Sequence, residues 1–247
     1  MVQISAHRGG SEDANPATYE SYKHALTSGA EYAEFDIRKT KDGVLVVYHD
    51  ARSGHTGPLV ANLAYDELCN GLGYSVPKVA EVMELLAGKL IGHLDLKEIG
   101  YEEEVISLAL ASFGLENFIA TTLEDASVRA IKQAFPDVKT ALSLGRELKE
   151  IPRRFRVSIR RSELFPLARL RACGADWVAV NYKLARLGVI KTCARNGTGI
   201  MVWTVDSDEL IDQFVVDQRI DVLITNRPRR AVRRRAELTA YSAAKSG

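Results

Sequence analysis

The stretch IMVWTVDSDELIDQFVVDQRIDVLIT, residues 200–225, contains a complete strand–helix–strand unit. Its first run, Ile200–Val205, is apolar, and Asp206-Ser207-Asp208 behind it offers a cap for a helix over Glu209–Asp217. A second apolar run, Val222–Thr225, follows the helix. Strands joined through a helix pair in parallel, and such units build sheets that are covered by helices. The stretch therefore predicts a parallel α/β fold.

The same alternation extends over the rest of the chain. Short runs with β-branched residues recur between longer segments of helical periodicity. A chain of 247 residues has the length of one barrel of eight such units, about 250 residues. We therefore expect a distorted (β/α)8 TIM barrel. The eight predicted strands lie near Val2–Ala6, Tyr32–Arg38, Leu90–Leu96, Phe118–Thr122, Val138–Leu144, Trp177–Asn181, Ile200–Val205 and Val222–Thr225.

Two stretches depart from this alternation. Lys41-Asp42-Gly43 is a tight-turn sequence and Val44–Tyr48 behind it has strand character, which predicts a small β-hairpin extension after the second strand. Between Gly145 and Gly174, Pro152 and Pro166 interrupt the helical periodicity. Element boundaries in that second stretch are not predicted.

Composition and charge narrow the classes of function. With 46% hydrophobic and 26% charged residues the chain is an ordinary globular one, and a net charge of +1 gives no reason to expect nucleic-acid binding. No run of about 18 apolar residues and no signal-peptide pattern occurs, so we expect no spanning helix and a cytoplasmic location. Three widely spaced cysteines predict reduced, structural thiols; they are Cys69, Cys173 and Cys193.

The chain is predicted to form one domain with a basic end. No repeat or linker divides residues 1–228, which are assigned to the barrel. Residues 229–247 have little apolar periodicity and are predicted to form a basic, frayed and mobile tail. Its charge run fits a solvated helix face better than contact with anionic lipid. Residues 227–235, at the border of barrel and tail, contain six arginines: Arg227, Arg229, Arg230, Arg233, Arg234 and Arg235.

Polar residues that close apolar strands are the candidate site residues, because active sites of such barrels lie at the carboxyl ends of the strands. His7-Arg8-Gly9-Gly10 closes the first strand and Tyr48-His49-Asp50 closes the hairpin strand. In Glu34-Phe35-Asp36 and in Asp95-Leu96-Lys97 the charged residues lie two positions apart, so each pair shares one face of its strand. Taken alone, each cluster also has a structural explanation as a turn or a solvated edge.

Together the clusters contain the groups that phosphodiester cleavage needs. Crowded carboxylates require a cation, and Mg²⁺ or Ca²⁺ takes oxygen ligands. Arginine and lysine bind phosphate oxygens, and two histidines can exchange protons around phosphorus. A metal-dependent phosphodiesterase is therefore the leading hypothesis.

The same residues resemble the glycerophosphodiester phosphodiesterase family, whose pattern reads His-Arg-Gly, Glu-x-Asp, Thr-x-Asp-Gly and His-Asp, with a later Glu-x-Lys. The resemblance extends from Ile4 to Pro228 and is strongest before Lys97. The matching residues are His7-Arg8-Gly9, Glu34-Phe35-Asp36, Thr40-Lys41-Asp42-Gly43, His49-Asp50 and Asp95-Leu96-Lys97.

The resemblance implies hydrolysis of glycerophosphodiesters, such as glycerophosphocholine, to glycerol 3-phosphate and an alcohol. It also implies attack by a neighbouring substrate hydroxyl on phosphorus and one bound divalent cation, Mg²⁺ or Ca²⁺. Which histidine is the base is left open. The implied roles are proton transfer by His7 and His49, phosphate binding by Arg8 and Lys97, and metal binding by Glu34, Asp36 and Asp95.

Three departures from the family pattern concern the support of this site. Ala14–Thr18 only loosely matches the family's Pro-Glu-Asn-Thr, Asp95 replaces the commoner glutamate, and Asn226 replaces an aspartate. Two other functions stay open. One is a lysophospholipase D-like or phosphosphingolipid-cleaving enzyme on the same fold; the other is an inert phosphate-ester binding protein, which would have no need of two histidines.

Overall fold

The first strand of the chain pairs with the last, and this pairing closes the sheet into a barrel. The computed structural model describes residues 1–149 and 151–246. Eight strands are parallel, β1 lies between β2 and β9, and β3 pairs with β2 in the antiparallel direction. The predicted (β/α)8 barrel is confirmed. The strands are β1 Gln3–Ala6, β2 Tyr32–Lys39, β3 Leu45–Val47, β4 Ile91–Leu96, β5 Phe118–Thr122, β6 Thr140–Leu144, β7 Trp177–Asn181, β8 Gly199–Trp203 and β9 Val222–Thr225.

The helices connect the strands around the outside of the barrel. Ser207 caps α10 as the sequence predicts, since its side chain accepts a hydrogen bond from the Leu210 amide. None of the described helices is long and apolar enough to cross a membrane. The helices are α1 Tyr19–Ala25, α2 Tyr65–Leu72, α3 Val79–Leu86, α4 Glu102–Phe113, α5 Asp125–Ala134, α6 Arg153–Leu164, α7 Leu167–Cys173, α8 Tyr182–Leu184, α9 Ile190–Ala194, α10 Asp208–Val215 and α11 Pro228–Ser246, with a π-helical turn at Ala185–Val189.

Successive side chains of β2 point alternately to the hydrophobic core and to the interior of the barrel. Phe35 and Ile37 lie in the apolar core between barrel and helices, whereas Tyr32 lies in an apolar layer inside the barrel. Because side chains alternate along a strand, Glu34 and Asp36 face inward above Tyr32. The barrel is thus apolar at its base and polar toward the carboxyl ends of its strands. The inner apolar layer comprises Tyr32, Ile119, Ala141, Ala179, Met201, Val222 and Ile224.

The predicted hairpin is present between β2 and β3. Its turn is held by Thr40, whose hydroxyl donates to Asp42 Oδ1 at 2.6 Å, and by Gly43, whose φ of +87° suits glycine. A small separate core lies beneath the segment that follows β3 and comprises Val46, Val60, Leu68 and Val76. This hairpin carries His49 to the mouth of the barrel.

The described residues of the predicted basic tail form a helix, and the predicted mobility of the tail stays a prediction. α11 begins at Pro228, and its arginines form ion pairs with acidic residues of α10 and of the loop before β2. Gly247 lies outside the described residues. The pairs are Arg230 with Asp208 at 2.5 Å, Arg234 with Asp212 at 2.7 Å, and Arg235 with Glu31 at 2.8 Å.

Candidate active site

Three carboxylates meet inside the mouth of the barrel. The register of β2 and β4 sets Asp36 beside Asp95, and Glu34 lies one inward position below Asp36. Oxygen atoms of the three carboxylates all lie within 4.8 Å of one another. Glu34 and Asp36 are 3% and 0% exposed. Buried carboxylates this close repel one another, so the cluster needs positive charge.

Arg8 and Lys97 supply part of that charge. Arg8 Nε lies 2.9 Å from Asp36 Oδ2, and Lys97 Nζ lies 2.7 Å from Asp36 Oδ1 and also pairs with Asp95. Burial alone would raise the pKa of Asp36, but the charges of Lys97 and Arg8 hold it below its ordinary value. Burial would likewise lower the pKa of Lys97, but Asp95 and Asp36 raise it. Asp36 and Lys97 are therefore ionised at neutral pH.

Glu34 is the carboxylate whose charge is least compensated. Burial, together with the negative charges of Asp36 and Asp95, raises the pKa of Glu34 well above its ordinary value. Both oxygens of Asp36 are buried, and neither accepts an aligned hydrogen bond from the described residues. A hard divalent cation binds oxygen ligands. The two oxygens of Asp36 and the carboxylate of Glu34, whose negative charge is incompletely compensated, are ligands of that kind. The cluster could therefore hold one metal ion.

His7 is held in one orientation by a chain of hydrogen bonds from the end of β9. Asn226 Nδ2 donates to Asp206 Oδ2 at 2.8 Å, which turns Asn226 Oδ1 toward His7 Nδ1, also at 2.8 Å. His7 Nδ1 therefore carries a proton, and Nε2, which lies 3.9 Å from Glu34 Oε2, has the free lone pair. Burial and the charge of Arg8 lower the pKa of His7, so its ring is neutral at pH 7.

His49 reaches the mouth from the hairpin side. Its Nδ1 lies 2.6 Å from Asp50 Oδ1 and donates to it, and Arg38 Nε donates to the His49 carbonyl at 3.0 Å. Burial lowers the pKa of His49, although the charge of Asp36 and the hydrogen bond to Asp50 act in the opposite direction. Both histidines therefore present Nε2 to the same cavity, and His49 alone has a carboxylate on its other nitrogen.

His93 belongs to the site but is not among the residues predicted from the sequence. It is 2% exposed, Ser5 Oγ lies 3.0 Å from its Nδ1, and Thr121 Oγ1 lies 3.2 Å from its Nε2. Thr121 in turn donates to Asp95 Oδ1 at 2.7 Å. His93 thus supports the hydroxyl that holds Asp95 in place. Its position two residues before Asp95 was the available signal, because both face the barrel interior.

Burial of His93 predicts a loss of stability in acid. Burial lowers the pKa of His93 to about 4, from 6.5 in the unfolded chain. Between these values the unfolded state binds more protons, so this contribution to stability is lost as the pH falls. We expect a loss of about 2 kcal/mol between pH 7 and about pH 5. Asparagine does not titrate, so the free energy of unfolding of His93→Asn should fall less over this pH range than that of the wild type, by the same amount. Urea unfolding with a chelator present measures both.

The control for this measurement is His55→Asn, at an exposed position, which should keep the pH dependence of the wild type. An identical loss of stability in the wild type and in His93→Asn would contradict the assignment.

The loop around Arg8 is supported despite its departure from the family pattern. Arg8 has a left-handed φ of +53°, and its carbonyl accepts hydrogen bonds from the Ala17 amide at 2.9 Å and from Ser21 Oγ at 3.0 Å. Gly9 has a φ of +78°, and a Cβ there would lie 2.7 Å from the Ser21 carbonyl carbon. Thr18 caps α1 by accepting from the Ser21 amide. Ala14–Thr18 therefore still positions Arg8.

A cavity of about 580 Å³ opens above these groups. One wall carries the two histidines and the charged residues of β2 and β4. The opposite wall is less charged, and there Trp203 Nε1 donates to the Ala179 carbonyl at 3.0 Å. The structure thus brings all seven predicted site residues to one end of the barrel. The opposite wall includes Ser143, Gly145, Arg146, Asn181, Trp203 and Thr204.

The sequence is similar to known phosphodiesterases. Residues 7–230 match the model of the glycerophosphoryl diester phosphodiesterase family. A glycerophosphodiester phosphodiesterase of Caldanaerobacter subterraneus subsp. tengcongensis is 26% identical over 245 residues, covering 91% of this chain and 94% of its own.

Two solved structures have the same fold. The glycerophosphodiester phosphodiesterase of Agrobacterium tumefaciens has a TM-score of 0.73 at 21% identity, covering 94% of this chain and 100% of its own. An Oleispira antarctica phosphodiesterase, solved with the product sn-glycerol-3-phosphate, has a TM-score of 0.74 at 18% identity, covering 94% and 96%. With the family match over nearly its whole length, the chain belongs to the glycerophosphoryl diester phosphodiesterase family and is a phosphoric diester hydrolase.

Proposed function

We propose that the protein hydrolyses glycerophosphodiesters, such as glycerophosphocholine, to glycerol 3-phosphate and an alcohol in a reaction that needs a divalent cation. The observation that carries this proposal is the arrangement of three carboxylates and two cations between two imidazoles in one cavity. The product bound in the Oleispira antarctica phosphodiesterase has the same chemistry as the product proposed here. The cytoplasmic location predicted from the sequence stays a prediction.

Glu34, Asp36 and Asp95 would hold the cation, Mg²⁺ or Ca²⁺. Once bound, the ion would stabilise negative charge on phosphate oxygens. Arg8 pairs with Asp36, and Lys97 pairs with both Asp36 and Asp95. With a divalent ion held by the carboxylates, the guanidinium of Arg8 and the ammonium group of Lys97 would be free to bind phosphate oxygens.

The surroundings of the two histidines favour His7 as the general base and His49 as the general acid. His7 has a protonated Nδ1 held by a neutral amide, and a lowered pKa, so its Nε2 can take the proton of the attacking hydroxyl. Burial lowers the pKa of His49 as well, but Asp36 and the hydrogen bond to Asp50 act against that lowering, and Asp50 would stabilise the charged ring that protonates the leaving oxygen. The phosphorus–oxygen bond to the alcohol then breaks as the new one forms. If the attacking group is a substrate hydroxyl, water opens the cyclic phosphate with the two roles exchanged.

The test of this function is an assay of glycerol 3-phosphate release from glycerophosphocholine. We expect turnover that is lost when a chelator removes divalent ions and is restored by Mg²⁺ or Ca²⁺, because without the ion the buried carboxylates repel the phosphate. Titration of each ion separately identifies the one that the protein uses. A rate unaffected by chelation would contradict the proposed metal dependence, and inactivity across a panel of phosphodiesters would favour the inert binding protein.

A further inference from the structure

A basic and apolar surface lies beside the mouth of the barrel. It is formed by α6 and by residues 182–189 after β7, which pack against each other, and we call it the α6–β7 surface. Both elements follow strands whose carboxyl ends line the cavity, so both begin at the open end of the barrel. Its exposed basic residues are Arg153, Arg154, Arg161, Lys183 and Arg186.

Within residues 1–149 and 151–246, the five exposed basic side chains of this surface form no ion pairs with neighbouring carboxylates. No aspartate or glutamate occurs in residues 151–162 or in residues 177–205. Glu163 is 1% exposed and pairs with Arg160. Three arginines of α11 differ, because Arg230, Arg234 and Arg235 pair with Asp208, Asp212 and Glu31.

Three large apolar side chains project from among these charges. Phe155, Val157 and Leu187 are 47%, 77% and 68% exposed. The guanidinium of Arg154 lies 4.8 Å from the centre of the Phe155 ring. Exposed apolar groups surrounded by cations match the interface of an anionic bilayer, where the charges meet lipid head groups and the apolar side chains enter the boundary of the acyl region. A nucleic acid would leave Val157 and Leu187 in water.

We propose that the α6–β7 surface docks the protein on an anionic lipid bilayer, with the mouth of the barrel beside the lipid. This docking needs none of the catalytic residues. Docking would let a lysophospholipid reach the cavity from the bilayer. This consequence for substrate choice rests on the proposed function.

Flotation of the whole chain with lipid vesicles tests the docking. We expect binding to vesicles of phosphatidylcholine with phosphatidylserine, weaker binding as salt is raised, and little binding to phosphatidylcholine alone. R153Q/R154Q should bind roughly thirtyfold more weakly, since each cation near the surface contributes about 1 kcal/mol. F155S/L187S, which keeps every charge, should also bind more weakly. Turnover of soluble glycerophosphocholine should equal that of the wild type in both variants and serves as their folding control.

The matched control is K89Q/R129Q, which removes the same charge from exposed positions outside this surface and should bind like the wild type. If K89Q/R129Q loses as much vesicle binding as R153Q/R154Q, the effect is one of net charge and the proposal is overturned. Binding that does not need phosphatidylserine would overturn it too. If single-stranded RNA binds the wild type and F155S/L187S equally well but binds R153Q/R154Q more weakly, the surface is a nucleic-acid site instead.

Discussion

His49→Ala is expected to lower kcat for glycerophosphocholine by about 10²–10⁴-fold, and His7→Ala by a similar factor, because each removes one proton transfer. The side chain of His49 is 44% exposed, so its removal should leave the fold intact. The two variants should differ with a p-nitrophenyl phosphodiester, whose leaving group needs no protonation. With that substrate, the release of p-nitrophenol should recover much of its rate in His49→Ala and none in His7→Ala. The measurement is kcat for both substrates.

His24→Ala is the control, because His24 lies on α1 and pairs with Glu20, and it should retain the wild-type rate. Robust turnover of glycerophosphocholine by both His7→Ala and His49→Ala would falsify the two-histidine mechanism. Rescue of His7→Ala in place of His49→Ala would exchange the roles of base and acid.

Asp36→Asn and Glu34→Gln should both weaken metal binding and activity by more than 100-fold, but should have opposite effects on the chain without metal. Asp36 is ionised, so Asp36→Asn leaves Arg8 without its carboxylate partner and Lys97 with Asp95 alone, and should lower the free energy of unfolding by about 3 kcal/mol. Burial and its neighbours already favour protonated Glu34, which glutamine imitates. Glu34→Gln should therefore leave stability unchanged or raise it.

Calorimetric titration with Mg²⁺ and Ca²⁺ measures the affinity, and urea unfolding in a chelator measures the stability. Each variant is the control for the other, since each removes one carboxylate from the same cluster. Equal destabilisation by the two variants would contradict the charge assignment. Undiminished metal affinity in both would show that the ion binds elsewhere.

Local patterns made the barrel and most of the site predictable. Period-two alternation shows that Glu34 and Asp36 share a face, and that face becomes a site because β4 brings Asp95 alongside. The sequence did not predict site residues whose role depends on partners far away in the chain. His93 has the sequence context of a core residue, and its role depends on hydroxyls from two other strands, those of Ser5 and Thr121.

The remaining failures have similar physical causes. The sequence shows Asn226 only as a departure from the family pattern, because its contact with His7 joins residues 219 positions apart. The tail from residue 229 lacks apolar periodicity, and its helix is instead accompanied by ion pairs to α10, which composition cannot show. Between Gly145 and Gly174 the prolines mark the borders of α6 and α7, but the hydrogen bonds from the Gly145 and Arg146 amides to Glu163 are long-range and were not foreseen.

The seam of the barrel also bears on how the chain is made. Arg235 donates to the Val2 carbonyl, 233 residues earlier, and pairs with Glu31, whose other oxygen accepts from the Ile4 amide. β1 is flanked by β9 on one side, so its place in the ring depends on the last strand to be synthesised. During synthesis one edge of β1 therefore stays unpaired until β9 has been made, a condition under which nascent proteins aggregate or recruit chaperones. Closing the barrel therefore depends on contacts between residues more than 200 positions apart, including those of Arg235 with Val2 and Glu31.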